Sequence, residues 1–516
     1  MKRFIGLIAL AAAAQVASAQ DIYQIESLTT EDLNGTARYV GMGGAMSALG
    51  ADLSVMSTNP AGIGLFRRSE LALSGSIVKA TKGVDLSNNK AKSTTSFDNI
   101  GFVYSAPMGS GSVPYFNVGF NYHKRKNFNG LFSDVQNFAN GTASITNEMS
   151  DLYSYWLDQR ATNPSPFAMM GYNTGLIVAD PNQAGNYLGY VANEYKSYRK
   201  STGGIEQYDF NFSFNIKEQF YLGLTVSAYN IDKHTYSTYG EGYFNPSATS
   251  GYGDMLLVHD EVVSGSGFDV KLGAIIRPVY DSPFRIGLSV TTPTWYNIDY
   301  NTSAEMANYA ESASDVSTND GYNTGISYNL RTPWKFNLSL GHTIGNYLAL
   351  GAEYEYADLS TSKVSYDTGY DMYGVITSDD HELNSQTKKY LKGQSTFKIG
   401  AELKPSPEWA VRVGYNHVSS PIDPAAYYNQ FIDSRSIDHA TQASYMNLSS
   451  INRYTAGIGY RGRSFYADLA YQFQSQSGDY YPFFSTSQSN IDLNEVAPSK
   501  INLNRSQLLL TLGFRF

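Results

Sequence analysis

From residue 71 to the last residue the chain alternates apolar and polar positions with a period of two. In 453–461, Tyr454, Ala456, Ile458 and Tyr460 share one face, and Arg453, Thr455, Gly457, Gly459 and Arg461 share the other. The next segment repeats the pattern, with Phe465, Ala467, Leu469, Tyr471 and Phe473 set against Ser464, Asp468, Gln472 and Gln474. Phe268, Val270, Leu272, Ala274 and Ile276 form another such face, as do Leu348, Leu350, Ala352, Tyr354 and Tyr356. A period of two places alternate residues on opposite sides of a β-sheet.

The breaks between these segments alternate in length. Short connections fall near 217–219, 279–283, 344–346, 405–407 and 462, whereas long polar stretches fill 127–203, 241–264, 301–320, 360–393, 420–450 and 477–500. Short turns on one side and long loops on the other are the signature of an outer-membrane β-barrel. A soluble sandwich has no reason to sort its loops this way.

A direct count gives 15 strands. Both chain ends on one side of the membrane require an even number. The two candidates that abut at Arg331-Thr332-Pro333 lack a turn between them, so 322–343 is expected to be one strand kinked at Pro333. The fold expected is therefore all-β: a transmembrane antiparallel barrel of about 14 strands. Its strands begin near Leu71, Asn99, Tyr115, Ile205, Phe220, Phe268, Phe284, Tyr322, Tyr347, Ser395, Glu408, Ile451, Ser464 and Ile501. Such a barrel is too wide for its own side chains to fill.

One stretch near the start does not alternate. Residues 38–66 are rich in small residues: Gly41-Met42-Gly43-Gly44-Ala45, then Ala51-Asp52, then Asn59-Pro60-Ala61-Gly62. Glycine allows close backbone approach, and Asn-Pro marks a turn. Residues 20–70 are expected to form a small plug, or hatch, inside a barrel of residues 71–516. A dinucleotide loop is excluded, because that motif needs glycine where Met46 stands.

Composition adds limits. The 516 residues include 42 tyrosines, only 16% are charged, and the net charge is −9, so nucleic acid is not an expected partner. There is no cysteine, hence no disulfide framework and no thiol chemistry. Lys2 and Arg3, the apolar run 4–14 and Ala17-Ser18-Ala19 read as a secretory signal over residues 1–19. No later apolar run is long enough to span a membrane as a helix.

The plug residues, the strand count, the hairpin 268–300 and the terminal strand together resemble the FadL/TodX family of outer-membrane transporters of long-chain fatty acids and other hydrophobic compounds. The specific match is confined to the hatch: Gly41, Gly43, Gly44, Asn59, Pro60 and Ala61. The resemblance implies a 14-stranded barrel with a hatch, capture of a hydrophobic small molecule outside, and release sideways at a kinked strand. No cofactor, metal or catalytic group is implied. The final strand, with Leu512, Phe514 and Phe516 on one face, is similar to the assembly signal read by the barrel-assembly machinery; outer-membrane lipids are the expected surroundings. For the wall opening, the third strand is the place expected, with Pro114, Asn117, Gly119 and Asn121 as its weak points.

Two departures from the family stand out. The longest loop, 127–203, follows the third strand, and 144–160 reads partly helical (Met149, Leu152, Tyr153, Trp156, Leu157). The inward faces carry Lys271, Arg277, Glu353, Glu355, Lys398, Glu402, Arg412 and Asp468, expected to form a solvated, mutually paired lumen rather than a ligand path.

Other functions are weaker. A polar porin would not need some fifty residues before its first strand. An energised receptor needs 22 strands and a larger plug, which leaves haem only as a passively admitted ligand, and the seven histidines show no ligand-like pair. A lipid hydrolase would need serine beside histidine; His417 with Ser419 and Ser420 is the one close case, at a strand end. A surface adhesin remains an alternative because long loops are exposed in every version.

Overall fold

The computed structural model describes residues 21–80, 93–109, 111–138, 143–158, 165–244, 252–309, 319–372, 374–484, 494 and 496–516. The expected secretory segment 1–19 lies outside the described residues. Fourteen wall strands pair antiparallel in chain order. They are β1 (Glu70–Ala80), β2 (Ser93–Pro107), β3 (Tyr115–Asn127, resuming as Gly130–Asn137), β4 (Ala192–Ile216), β5 (Phe220–Phe244), β6 (Tyr252–Ile276) and β7 (Arg285–Thr291 and Trp295–Asn308). Then come β8 (Asn319–Arg331 and Lys335–Ile344), β9 (Leu348–Asp358 and Lys363–Asp371), β10 (Gly374–Asp379 and Gly393–Leu403), β11 (Trp409–Val418), β12 (Tyr445–Arg461), β13 (Phe465–Tyr481) and β14 (Ser499–Asn502 and Arg505–Arg515). β14 pairs with β1, Arg515 opposite Glu70, so the sheet closes on itself.

The alternation sorts the faces as expected. Tyr454, Ile458 and Tyr460 of β12 are exposed on the outside, while Arg453 and Thr455 are buried inside. Leu71, Leu73 and Ile77 of β1 and Leu508, Leu510, Leu512 and Phe514 of β14 continue the apolar outer band. Aromatic pairs run across its strands, among them Phe116 with Phe214 and Phe268 with Trp295.

The strands run much further than expected on the long-loop side. β4, β5 and β6 have 25 residues each, roughly 80 Å of strand at about 3.3 Å per residue, where about 10 residues cross a membrane. Most of the expected loops 241–264 and 301–320 is therefore ladder: β5 runs to Phe244, β6 starts at Tyr252, β7 runs to Asn308 and β8 starts at Asn319. The expected loop 360–393 holds a hairpin and helix α5 (His381–Tyr390); 420–450 and 477–500 are likewise shortened by β12, β13 and β14. Both faces there mix polar and apolar residues, as Met255, Leu257, His259, Glu261 and Val263 do on the buried face of β6, so the alternation loses its contrast.

Five helices are described: α1 (Ile22–Thr29), α2 (Ala37–Gly41), α3 (Ile145–Asp158), α4 (Pro166–Asn173) and α5. The expected helix in 144–160 is α3. It buries Met149, Leu152 and Tyr153 against α4 and the tops of β4 to β7, where Tyr195, Tyr239, Leu257 and Met306 complete an apolar core. The lumen is thus occupied in three tiers. The hatch lies at the short-turn end. Above it α1 packs Ile22, Ile25 and Leu28 against Tyr229, Tyr296, Tyr300, Tyr328 and residues of α5. The α3–α4 core caps the long-loop end.

The predicted kink at Pro333 is present as the interruption 332–334 of β8, and β7 is interrupted beside it at 292–294, around Pro293. Proline cannot donate to a ladder, so paired prolines break two neighbouring strands at one height.

Candidate functional site

The hatch is built from capped turns. Thr36 accepts from the Tyr39 amide at the start of α2, and its hydroxyl donates to Asp52 Oδ1 at 2.8 Å. Asp52 in turn caps the 3-10 turn Leu53–Ser57, accepting from Ser54 N at 3.0 Å. Asn59 caps the turn Pro60–Leu65: its Oδ1 accepts from Ala61 N at 3.2 Å, and Pro60 occupies the first helical position, where no amide hydrogen is needed. Gly43, with φ +63°, turns the chain away from α2.

The wall meets the hatch through glycines. A Cβ at Gly400 or Gly414 would lie less than 3.0 Å from the backbone of Met42 or Gly43; one at Gly351 would meet the backbone of Ala45, and one at Gly223 that of Pro60 and Ala61. At Gly273 and Gly287 it would meet the Asn59 side chain, and at Gly119 the Met56 side chain. Gly41 sits 3.5 Å, Cα to built Cβ, from Gly457, and Gly44 packs beneath Leu33. The register aligns these glycines in a belt: Gly341 is opposite Gly351, Gly351 opposite Gly400, Gly400 opposite Gly414, and Gly223 opposite Gly273. Backbone thus docks on backbone around much of the wall. Outside, the wall beside Gly223 and Gly273 forms an apolar groove of about 880 Å³ lined by Leu222, Leu272, Leu288 and Phe336 among others.

Hydrogen bonds fix the docked position. Asn117 Nδ2 donates to Ile63 O at 2.8 Å, Ser289 Oγ to Thr58 O at 2.6 Å, and Asn211 Nδ2 to Pro60 O at 3.3 Å. Arg38 pairs with Glu402 at 2.9 Å; Glu402 also holds Arg412 at 2.7 Å, and Arg412 reaches Asp468 at 2.6 Å. Lys398 pairs with Glu353 at 2.7 Å and lies 3.8 Å from Glu355, and Lys271 pairs with Asp269 at 2.6 Å. Of the eight inward charges expected, seven form ion pairs. Arg277 instead donates to the turn carbonyls of Glu218, Tyr280 and Ser282. These pairs are dry clamps on the hatch or wall rather than a solvated lining; Glu353, Glu402, Arg412 and Asp468 are buried.

The third strand is closed at the residues where an opening was expected. Pro114 lies just before β3, its carbonyl accepting from Met108 N at 3.1 Å. From Tyr115 to His123 β3 pairs without interruption with β2 and with β4. Asn117 holds the hatch, Asn121 Oδ1 accepts from Asn99 Nδ2 at 2.7 Å, and Met56 fills the space over Gly119. The interruption in this strand lies further on, at Phe128 and Asn129. His417 and Asn452 hydrogen-bond at 2.9 Å, while Ser419 and Ser420 bond to backbone groups. Leu512, Phe514 and Phe516 are exposed on the outer face.

Above the hatch, beside α1, lies a cavity of about 400 Å³. One side is apolar and aromatic: Tyr23, Phe128, Leu131, Phe132, Tyr445, Met446 and Leu448. The rest of the lining carries charge of both signs, Asp21, Glu26, Glu31, Asp32 and Glu261 beside Lys126, Arg199, Lys233, Arg453 and Arg505. Lys126 donates to Ser27 O and Thr30 Oγ1, Arg505 pairs with Asp32 at 2.9 Å, Arg453 donates to Glu31 O at 3.1 Å, and Lys233 pairs with Glu261 at 2.7 Å. Burial pushes Glu261 up, but Lys233, His259 and Arg199 together outweigh it and hold the carboxyl at about 2. Burial pushes Asp21, at the start of α1, up to about 6 against the pull of the Gln24 amide. The cavity reaches the wall at Ala80, Gly130 and Asn504. Sequence reasoning found the hatch residues but neither this cavity nor the glycine belt. The belt had a signal: Gly273, Gly351 and Gly457 fall on the inward side of their alternations.

No protein-family model matches the chain, and no curated protein matches it. Among solved structures, a FadL homologue of Pseudomonas aeruginosa is similar with a TM-score of 0.49 at 12% identity, over 95% of this chain and 100% of that one. The toluene transporter TodX of P. putida gives 0.47 at 12%, over 94% and 99%. The toluene transporter TbuX of Ralstonia pickettii gives 0.46 at 14%, over 94% and 99%.

Proposed function

We propose that this protein is a passive passage in a bacterial outer membrane for amphipathic small molecules with a long apolar part, such as long-chain fatty acids. The observation that supports this is the pairing of a docked hatch with a cavity directly above it whose lining is part apolar and part charged, with acidic and basic groups side by side. A cavity of this size suits a small ligand. Its aromatic lining offers about 0.8 kcal/mol per buried methylene, and Lys126, Arg453 and Arg505, which hold Thr30, the Glu31 carbonyl and Asp32, would turn to a carboxylate head. The hatch would shift to admit the ligand below. The apolar outer band is the surface for outer-membrane lipids, and the terminal strand the segment for the assembly machinery. The barrel carries no catalytic role in this scheme.

The test is mass spectrometry of small molecules that co-purify with the detergent-extracted barrel, beside oleate uptake into liposomes. Wild type is compared with a Lys126→Glu/Arg453→Glu variant. A fatty acid enriched only in wild type supports the proposal. No amphiphile in either, with large ion conductance in both, points to a polar-solute porin. No ligand and no conductance leaves the exposed loops, and an adhesin, as the better reading.

A further inference from the structure

Two hollows lie one above the other on the outer face of the wall, on either side of the breaks in β7 and β8. The lower is the apolar groove of about 880 Å³. Ala274 lies in it between its register partners, the exposed Leu222 of β5 and Leu288 of β7, and its short side chain leaves a channel between them. The upper hollow, of about 510 Å³, lies beyond residues 292–294 and 332–334 and is lined by Phe268, Trp295, Asn297, Arg331 and Lys363 among others. Register sets four of these side by side: Phe268 opposite Trp295, Trp295 opposite Arg331, and Arg331 opposite Lys363.

Each strand changes character between the two hollows. On β6 the exposed Leu272 and Phe268 give way to Ser266, and on β7 Leu288 and Trp295 give way to Asn297. On β8 the exposed Leu338, Phe336 and Trp334 give way to Arg331. Aromatic rings at the end of an apolar band mark the headgroup level, so Arg331 and Lys363 stand among headgroups, above a groove shaped for chains. No ion pair engages Arg331 among the described residues. Lys363 pairs with Asp379 at 2.7 Å, both of them exposed, and such a surface pair yields to a stronger acceptor at little cost. The other carboxylate nearby, Asp367, already accepts from Asn329 Nδ2 at 2.6 Å, and Asn329 Oδ1 accepts from Asn297 Nδ2 at 3.2 Å. The guanidinium is therefore left for an anion from outside the chain.

We propose that this face binds one phosphate-bearing diacyl lipid of the outer leaflet, with its chains along the Ala274 groove and its phosphate between Arg331 and Lys363. Arginine presents a planar fork of donors that matches phosphate oxygens, and a second cation beside it favours a net anionic headgroup over a zwitterionic one. The lipid stays outside the wall, so the site holds whichever solute the barrel carries. It also has a structural use. Above the break β8 meets β9 through three rungs, Asn329 with Ser365, Leu330 with Val364 and Arg331 with Lys363. A phosphate shared by Arg331 and Lys363 ties the two strands together at the edge of that short ladder.

The test is native mass spectrometry of the full-length barrel released from detergent. The probes are dimyristoyl phosphatidic acid and dimyristoyl phosphatidylcholine, which share their chains and differ in headgroup. Wild type should retain one phosphatidic acid in preference to phosphatidylcholine. Arg331→Glu/Lys363→Glu should weaken that retention at least about tenfold, and Arg331→Gln/Lys363→Gln, a milder change to the fold, should weaken it in the same sense. Ala274→Phe fills the groove, leaves both cations in place and should also release the lipid. Arg463→Glu, a reversal on the short turn after β12, should change nothing. Heat-modifiable mobility shows that each variant is a folded barrel. Equal retention of the two lipids by wild type, or undiminished phosphatidic acid in the Glu and Gln variants, overturns the headgroup site. Undiminished retention in Ala274→Phe overturns the seat for the chains.

Discussion

Gly223 of the wall and Pro60 of the hatch are in backbone contact: a side chain on Gly223 would begin less than 3.0 Å from the Pro60 carbonyl carbon. The hatch therefore closes the barrel by fit at the backbone level, with side chains acting as clamps around it.

Gly223→Val should unseat the hatch while leaving the ladder intact, because valine favours strands and the clash is inward. The overpacking cost is roughly 1–3 kcal/mol. Planar-bilayer recordings should show a leak conductance in this variant, and the same for Gly400→Val. A control on the outer face, Leu222→Val, should stay closed.

Glu402 is the shared acceptor of Arg38 and Arg412. Glu402→Gln leaves two buried guanidinium groups facing a neutral amide. Breaking a buried pair costs about 3–5 kcal/mol. The expected outcome is protease cleavage within the hatch of the folded, membrane-inserted variant, with heat-modifiable mobility of the barrel retained. An uncleaved hatch would place the clamp elsewhere.

Asn59→Ala removes the cap on Ala61 N and the contact with Ala274 O. Loss of such a cap costs about 1 kcal/mol. Combined with Pro60→Ala, it should lower amphiphile uptake in liposomes without lowering the yield of assembled barrel. Equal uptake would show that the hatch turn takes no part in passage.

The cap carries opposed pH responses. Glu241, which accepts from Ser144 Oγ, Ile145 N and Tyr239 OH, is pushed up to about 7, chiefly by burial. Its folded state binds the extra proton, so its contribution to stability is fully present below about 4.5 and is lost as the pH rises through 7. Glu148, also raised by burial, acts in the same sense. His259 is pulled down to about 4 and His439 to about 3, both by burial. Their contribution is present above about 6.5 and is lost as the pH falls towards those values. The two losses oppose each other between about 4.5 and 6.5, so the hydrogen-exchange protection factors of residues 145–158 should be highest there. Glu241→Gln should flatten the alkaline limb, and His259→Gln part of the acidic limb.

The period-two pattern was enough for the strands inside the membrane, because there one face meets lipid and the other does not. Tyr454 and Arg453 announce their sides without any knowledge of neighbours. The parity of the strand count and the proline at 333 located one interruption correctly. Pro293 has the same chemistry but lies inside 284–299, a segment whose alternation reads as one strand. Beyond the membrane both faces meet water or cap, so the upper halves of β5 and β6 lost their contrast and read as loop.

The barrel, its even strand count and a small-residue plug ahead of it follow from local alternation and from glycine and proline chemistry, and are legible residue by residue. Where the plug docks, and that Asn117 holds it instead of marking a gap, emerge only from the closed fold. Those relations join residues far apart in the chain, Arg38 with Glu402 or Pro60 with Gly223. They depend on register around a closed ring, in which each strand fixes the height of the next and no local pattern records the sum.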